Sequence, residues 1–265
     1  MTNWKIGVIG FGNIAQALIG GLLKVQAINP EQVFVCAAHV DKLRMNAEKY
    51  GVHACQDAEE VIEKSDVVIL AVKPYQMEKV VTPLKSLLKD KIVVSVASGW
   101  MFDRFEGLLE KGTHHISTSP NTPVAVAEGI IIVEDKHSLS DDEFSHLVQL
   151  FEQVALVEIL DIDHMGIAGT LSGATPAYAA MFIEALGDAG VKHGLTRASA
   201  YRLASQMLAG TGKLYLEHQN HPGAMKDAVC SPGGITIVGV EALEQNGFRY
   251  AVMSAINACQ SKKAG

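Results

Sequence analysis

The sequence predicts an α/β N-terminal half built on a parallel sheet, followed by an all-α C-terminal half. Three observations carry this. Short β-rich runs alternate with helical patterns as far as about residue 160. Two of those runs, Asp66–Val72 and Lys91–Ala97, are nearly continuous apolar stretches, as strands covered on both faces are. Beyond about Asp161 the strand signal fades into roughly a hundred residues of helical pattern. The boundary falls near Leu160–His164 and divides the chain into residues 1–160 and 161–265.

In the first half, Trp4–Ile9 reads as a strand, and Asn13–Val25 carries Ile14, Leu18 and Leu22 at helical spacing. Val33–Ala37 is a second strand. A helix follows from Asp41, which caps it, to about Tyr50, where Gly51 closes it. The short apolar piece Val52–Cys55 precedes a helix over Asp57–Lys64 with Asp57 as its cap. A helix is expected from about Met77 to Leu88 in spite of Pro83. His114–Thr118 and Gly129–Val133 are further strands, and Ser140 with Glu143 forms a capping box for a helix reaching Gln153.

In the second half, Pro176–Val191 is apolar on most of its circumference and so is expected to be buried nearly all round. Thr196 caps a long helix to about Glu217, and Pro222 suits the first turn of another. Ile235–Gln245 stops at Asn246-Gly247, and Phe248–Gln260 is the last helix. This apolar excess exceeds what a small bundle needs, which points to a subunit interface.

Composition narrows the function. The chain has 265 residues, 48% hydrophobic and 19% charged, with a formal net charge of −7. The mean hydropathy is +0.18 and the isoelectric point about 5.8. These values exclude a disordered chain and argue against one that coats nucleic acid or anionic membrane by bulk charge. Cys36, Cys55, Cys230 and Cys259 form no closely spaced pair, and the histidines show no zinc-ligand spacing, so neither a disulfide framework nor a metal is expected. Apolar runs such as Val67–Val72 fall far short of the ~20 residues of a membrane span. A cytoplasmic, metal-free protein is the expectation.

The residues Ile9-Gly10-Phe11-Gly12-Asn13-Ile14-Ala15 lead from a strand through G-x-G-x-x-A into a helix. Gly10 permits a tight turn, Gly12 lets a pyrophosphate approach the backbone, and the helix N-terminus supplies amides and positive potential. A dinucleotide site follows from that context. At the end of the second strand, Cys36-Ala37-Ala38-His39 offers no acid for a ribose 2′-hydroxyl, and Lys42 and Arg44 lie just beyond. This favours NADPH over NADH, with His39 or Lys42 near the 2′-phosphate or simply solvated. Two more strand ends face the same ligand, Ala71-Val72-Lys73-Pro74 and Ala97-Ser98-Gly99. Lys73 reads either as an ordinary surface lysine or as a group on the cofactor side. The loop Ser119-Pro120-Asn121-Thr122-Pro123 is either a rigid loop with aimed polar groups or a plain turn.

In the helical half, Ser231-Pro232-Gly233-Gly234-Ile235-Thr236 opens a helix. Adjacent glycines, a helix N-terminus and two hydroxyls make a cradle suited to a carboxylate, although a plain capping turn fits the same residues.

With these motifs the chain resembles the pyrroline-5-carboxylate reductase family. The likeness runs almost end to end, through the Ile9–Ala15 fingerprint, Ser65–Pro74, Pro120–Pro123, Leu171–Gly173, Pro176–Tyr178, Glu184–Lys192, His221-Pro222, Lys226-Asp227, Ser231–Thr236 and Gly247–Arg249. The Ser-Pro-Gly-Gly-x-Thr stretch is its specific part. The resemblance implies a Rossmann-type domain and a helical domain that dimerises with a partner's, family dimers often assembling further, commonly into decamers. It implies hydride transfer from NAD(P)H to the C=N carbon of 1-pyrroline-5-carboxylate, giving L-proline. By position, Ser231, Gly233, Gly234, Ile235 and Thr236 would hold the carboxylate, and the Thr236 hydroxyl would face the ring nitrogen. Ile9, Gly10, Phe11, Gly12, Asn13, Ile14, Ala37, Ala71, Val72, Lys73, Pro74, Ala97, Ser98 and Gly99 would hold the dinucleotide. Ser119, Ala174-Thr175 and Ile235 depart from the family pattern without removing a group the chemistry requires. Rival readings are a reductase of another cyclic imine or of a 2-oxo or 3-hydroxy acid, and a dinucleotide sensor without turnover.

Overall fold

The computed structural model describes residues 2–264 and divides into two compact units, residues 1–173 and 174–265. The first unit is an eight-stranded sheet in the order β3-β2-β1-β4-β5-β6-β7-β8. Its strands are β1 (Ile6–Ile9), β2 (Val33–Cys36), β3 (His53–Ala54), β4 (Val67–Leu70), β5 (Ile92–Ser95), β6 (His114–Pro120), β7 (Gly129–Glu134) and β8 (Ala155–Leu160). Strands β1 to β6 are parallel, whereas β7 runs antiparallel to β6 and parallel to β8, so the sheet is mixed.

The helices of this unit are α1 (Asn13–Lys24), α2 (Val40–Tyr50), α3 (Ala58–Glu63), α4 (Met77–Val81), α5 (Lys85–Leu88), α6 (Phe102–Glu106), α7 (Asp141–Glu152) and α8 (Ile162–Gly173). Central strands are apolar throughout because both faces are covered. Val67 and Ile69 of β4 join the core beneath α1 and α7, while Val68 and Leu70 join the core beneath α3, α4 and α6. Asp57 caps α3 and the Ser140–Glu143 box caps α7, as the sequence predicts.

Several expectations are corrected. Asp41 does not cap α2; His39 occupies the cap position and Asp41 sits in the first turn. The helix expected over 77–88 is broken into α4, a 3-10 turn at Thr82–Leu84 and α5. Pro83 lacks an amide hydrogen and crowds the preceding turn, so a continuous α-helix cannot pass through it. Strand β8 and helix α6 carry no clear signal in the sequence. Helix α8 packs on β6 and β7 and belongs with the first compact unit.

The second unit contains α9 (Thr175–Lys192), α10 (Arg197–His218), α11 (Pro222–Ala228), α12 (Ile235–Gln245) and α13 (Phe248–Ala264). The Thr196 hydroxyl accepts from the Ser199 amide at the start of α10, and Pro222 stands in the first turn of α11. Helix α9 buries only Gly187 in the isolated chain, leaving Met181 67% exposed. Its all-round apolar character is therefore unmet within one chain, and the same holds for Val238, Leu216, Tyr250 and Met253, all exposed.

Candidate active site

In the first unit the carboxyl ends of β1, β2 and β4 open onto one cleft of about 520 Å³. This is the topological switch point, where β2 and β3 extend the sheet on one side of β1 and the chain then crosses to β4 on the other. Ile9, Gly10, Phe11, Gly12, Ala37, Ala71, Val72 and Lys73 all line it, together with Cys36, His39, Lys42 and Tyr75. Asn13 and Ile14 stand beside it in the first turn of α1; Pro74, Ala97, Ser98 and Gly99 do not line it.

Gly10 has φ +98°, and a Cβ there would lie 2.8 Å from the Ala71 backbone. The turn is thus closed to any side chain. Gly12 is the reverse case, since a Cβ there meets nothing within 4 Å. It caps α1 with no side chain, which leaves the first amides of the helix pointing at open space. Gln16 pins the turn from below, its side-chain amide donating to the Phe11 carbonyl at 3.1 Å. An anion fits this concavity: backbone donors, a helix dipole and room where Gly12 lacks a side chain.

The β2 end explains the cofactor expectation. Asp57 lies in the cleft wall, but its carboxylate accepts from the Glu60 amide at 2.9 Å as the α3 cap. Glu60 in turn accepts from the Gln56 amide at 2.7 Å and pairs with Lys64. Burial pushes the Cys36 thiol up to about 12, so it is neutral at the β2 end of the cleft. Lys42 lines the same wall.

Trp100 escaped the sequence reading, and the polar groups of the Asn121 loop turn inward. The Trp100 indole donates to the Pro74 carbonyl at 2.9 Å and so joins the loops after β5 and β4. Asn121 is buried, accepting from the Ile130 amide and donating to the Ser172 carbonyl, so its polar groups turn into the protein. A buried Trp invites a search for an indole acceptor, but only coordinates identify it.

In the second unit, Ser231–Gly234 forms a turn closed by the Gly234 amide on the Ser231 carbonyl at 2.9 Å, with Gly233 at φ +68°. Gly234 is the cap of α12 and has no side chain to satisfy the helix amides. Ser231, Gly233, Ile235 and Thr236 are exposed, with Ile235 at 92%. Among the described residues neither the Ser231 nor the Thr236 hydroxyl has a hydrogen-bond partner, and Ser231 gives α12 no side-chain cap.

Comparison with known proteins places both units in one family. Over 97% of its length the chain is 43% identical to the pyrroline-5-carboxylate reductase of Treponema pallidum (strain Nichols), covering 99% of that protein. The chain belongs to the pyrroline-5-carboxylate reductase family. The Escherichia coli (strain K12) member is 38% identical, with 97% of this chain and 96% of that protein covered. The family model described as pyrroline-5-carboxylate reductase dimerisation matches residues 163–265, and an NADP oxidoreductase, coenzyme F420-dependent model matches residues 5–99. Among solved structures, the Plasmodium falciparum pyrroline carboxylate reductase with NADP bound superposes with a TM-score of 0.88 at 30% identity, covering 99% of this chain and 97% of that one. The dimerisation match indicates a homodimer and covers the helices whose apolar faces stay exposed in the single chain. Among the described residues no cluster of potential metal ligands occurs, and no helix is long and apolar enough to cross a membrane.

Proposed function

We propose that the chain carries out its family's reaction, reduction of 1-pyrroline-5-carboxylate to L-proline by NADPH, through two anion-binding turns, one in each unit. Pyrroline-5-carboxylate reductases are NAD(P)H-dependent oxidoreductases, and family membership over nearly the full length supports that activity here. The observation that carries the mechanistic reading is the Ser231–Thr236 turn, a helix N-terminus capped by a bare glycine with two unpartnered hydroxyls beside it.

The Gly10–Gly12 turn and the first turn of α1 would hold the pyrophosphate, with Asn13 and Ile14 contributing amides. Ala71–Pro74 and Ala97–Gly99 would flank the opposite end of the dinucleotide, and Ala37 would face its adenosine ribose. Lys42 and the N-terminus of α2 would receive the 2′-phosphate, since the nearby acid is committed to capping. When bound, the reduced nicotinamide supplies the hydride that adds to the C=N carbon.

The Ser231 hydroxyl and the amides at Gly233, Gly234, Ile235 and Thr236 would hold the substrate carboxylate. The Thr236 hydroxyl would face the ring nitrogen, its oxygen accepting from the N–H of the protonated imine and orienting the C=N bond. No buried acid–base pair is required, because the imine reaches the site protonated from water and the chain has only to orient it and exclude solvent. The working form is a homodimer through the helical unit; assembly toward a decamer rests on the sequence resemblance, and residence in the cytoplasm on composition and cysteine spacing.

The test is the loss of reduced-nicotinamide absorbance with 1-pyrroline-5-carboxylate, using NADPH and NADH separately, for wild type and Thr236→Ala. Turnover with NADPH preferred and a lower kcat in the variant supports the reading. A raised KM with intact kcat reduces Thr236 to a positioning group. No turnover with either cofactor removes the assignment.

A further inference from the structure

The two loops that would flank the far end of the dinucleotide are joined by a single side chain. Trp100 follows the Ala97–Gly99 turn and is 2% exposed. Its own backbone is fixed twice: the Trp100 amide donates to the Ala97 carbonyl at 3.2 Å, and the Ser117 hydroxyl of β6 donates to the Trp100 carbonyl at 2.7 Å. Edge-on contact with Phe105 holds the ring at 6.5 Å between centroids. Trp100 is thus a fixed post, and what its indole nitrogen holds is the Pro74 carbonyl, 2.9 Å away.

Pro74 opens a single 3-10 turn, Pro74–Gln76, capped by Lys73, and that turn is the exposed continuation of the Ala71–Lys73 wall of the cleft. Beyond the indole, the loops share apolar packing of Ala97 with Val72 and Met77, and the polar ties through Arg104 are solvent-exposed. Arg104 lies 3.9 Å over the Trp100 ring, donates to the Gly99 carbonyl at 3.4 Å and stands 3.9 Å from Glu78 of α4. Exposed, long contacts of this kind are weak, whereas a hydrogen bond from a buried indole is costly to break.

We propose that Trp100 is a positioning residue for the reductase reaction, a latch that sets the spacing of the loops after β4 and β5 and so holds the cleft ready for the dinucleotide. This rests on reading the first unit as the NADPH site. Packing of the ring on Phe105 needs only an aromatic group. The N–H bond to Pro74 is a separate function, and it can be removed without emptying the core.

The experiment uses the full-length protein with Trp100→Phe and, as an isosteric control, the benzothiophene analogue of tryptophan incorporated at position 100, which replaces N–H by sulfur. Calorimetric titration with NADP+ in the absence of substrate is set beside thermal melting and steady-state kinetics. Loss of the latch weakens NADP+ binding about tenfold in both variants, raises the KM for NADPH in step and leaves the KM for pyrroline-5-carboxylate unchanged at saturating cofactor. Wild-type affinity for NADP+ in the isosteric variant overturns the proposal and makes Trp100 a core residue only. A wild-type protein that binds neither NADP+ nor NAD+ overturns the underlying cofactor reading, and the latch with it.

Discussion

Gly10 and Ala71 approach so closely that a Cβ on Gly10 would sit 2.8 Å from both the carbonyl carbon and the carbonyl oxygen of Ala71. That contact joins the end of β1 to the end of β4 and defines the floor of the cleft. At φ +98° the Gly10 backbone also disfavours any L side chain. Gly10→Ala therefore loses more than about 1 kcal/mol of stability and loses dinucleotide binding with it. Gly12→Ala behaves differently: its Cβ meets open space within the protein, so the melting temperature is kept while affinity for NADP+ falls. Thermal melts beside calorimetric titrations separate the two, and equal loss of stability in both variants would contradict this account of the turn.

Cofactor choice depends on Lys42 and on the commitment of Asp57. Lys42→Glu places a negative charge at the cleft wall where the 2′-phosphate would lie. The kcat/KM for NADPH drops about tenfold or more, while that for NADH changes little. Steady-state kinetics with both cofactors reads the ratio directly.

A pH effect on stability follows from His115. Its ring is fully buried, stacked on Phe102 at 4.5 Å, with Nε2 2.6 Å from the Glu106 carboxylate and no partner for Nδ1. Burial lowers its pKa below the ordinary 6.5, and the Glu106 contact only partly offsets that. The unfolded chain thus takes up a proton at a higher pH than the folded one. The contribution to stability is complete above 6.5 and is lost as the pH falls from there through the folded value. The melting temperature declines from pH 7 toward 5 in wild type. In His115→Gln, whose side chain does not titrate, that decline is shallower; parallel curves would exclude His115 as the cause.

The exposed apolar helices predict a self-association defect. Met181 is 67% exposed on α9 in the isolated chain. Met181→Asp would bury an unpaired charge in a dimer interface, which costs several kcal/mol and shifts the protein to monomer. Sedimentation velocity of wild type and variant checks this, and an unchanged sedimentation coefficient would remove α9 from the interface.

Much of the molecule is legible in the linear order of residues, because the relevant signals are local. The glycine turn after β1, the caps at Asp57, Ser140 and Thr196, Pro222 in the first turn of α11 and the stop at Asn246-Gly247 each involve backbone groups within a few residues. The apolar runs of β4 and β5 likewise announce strands covered on both faces. Strand β8 is a short apolar run, Ala155–Leu160, broken by Glu158, and periodicity alone does not separate such a run from the end of the preceding helix.

What only the tertiary structure decided are the long-range pairings. Asn121 turns inward to Ile130 and Ser172, and Trp100 reaches back 26 residues to Pro74. The identity of a residue specifies which hydrogen bonds it is able to make. Which partner it meets depends on the sheet order that brings distant strand ends side by side, and no local pattern encodes that order.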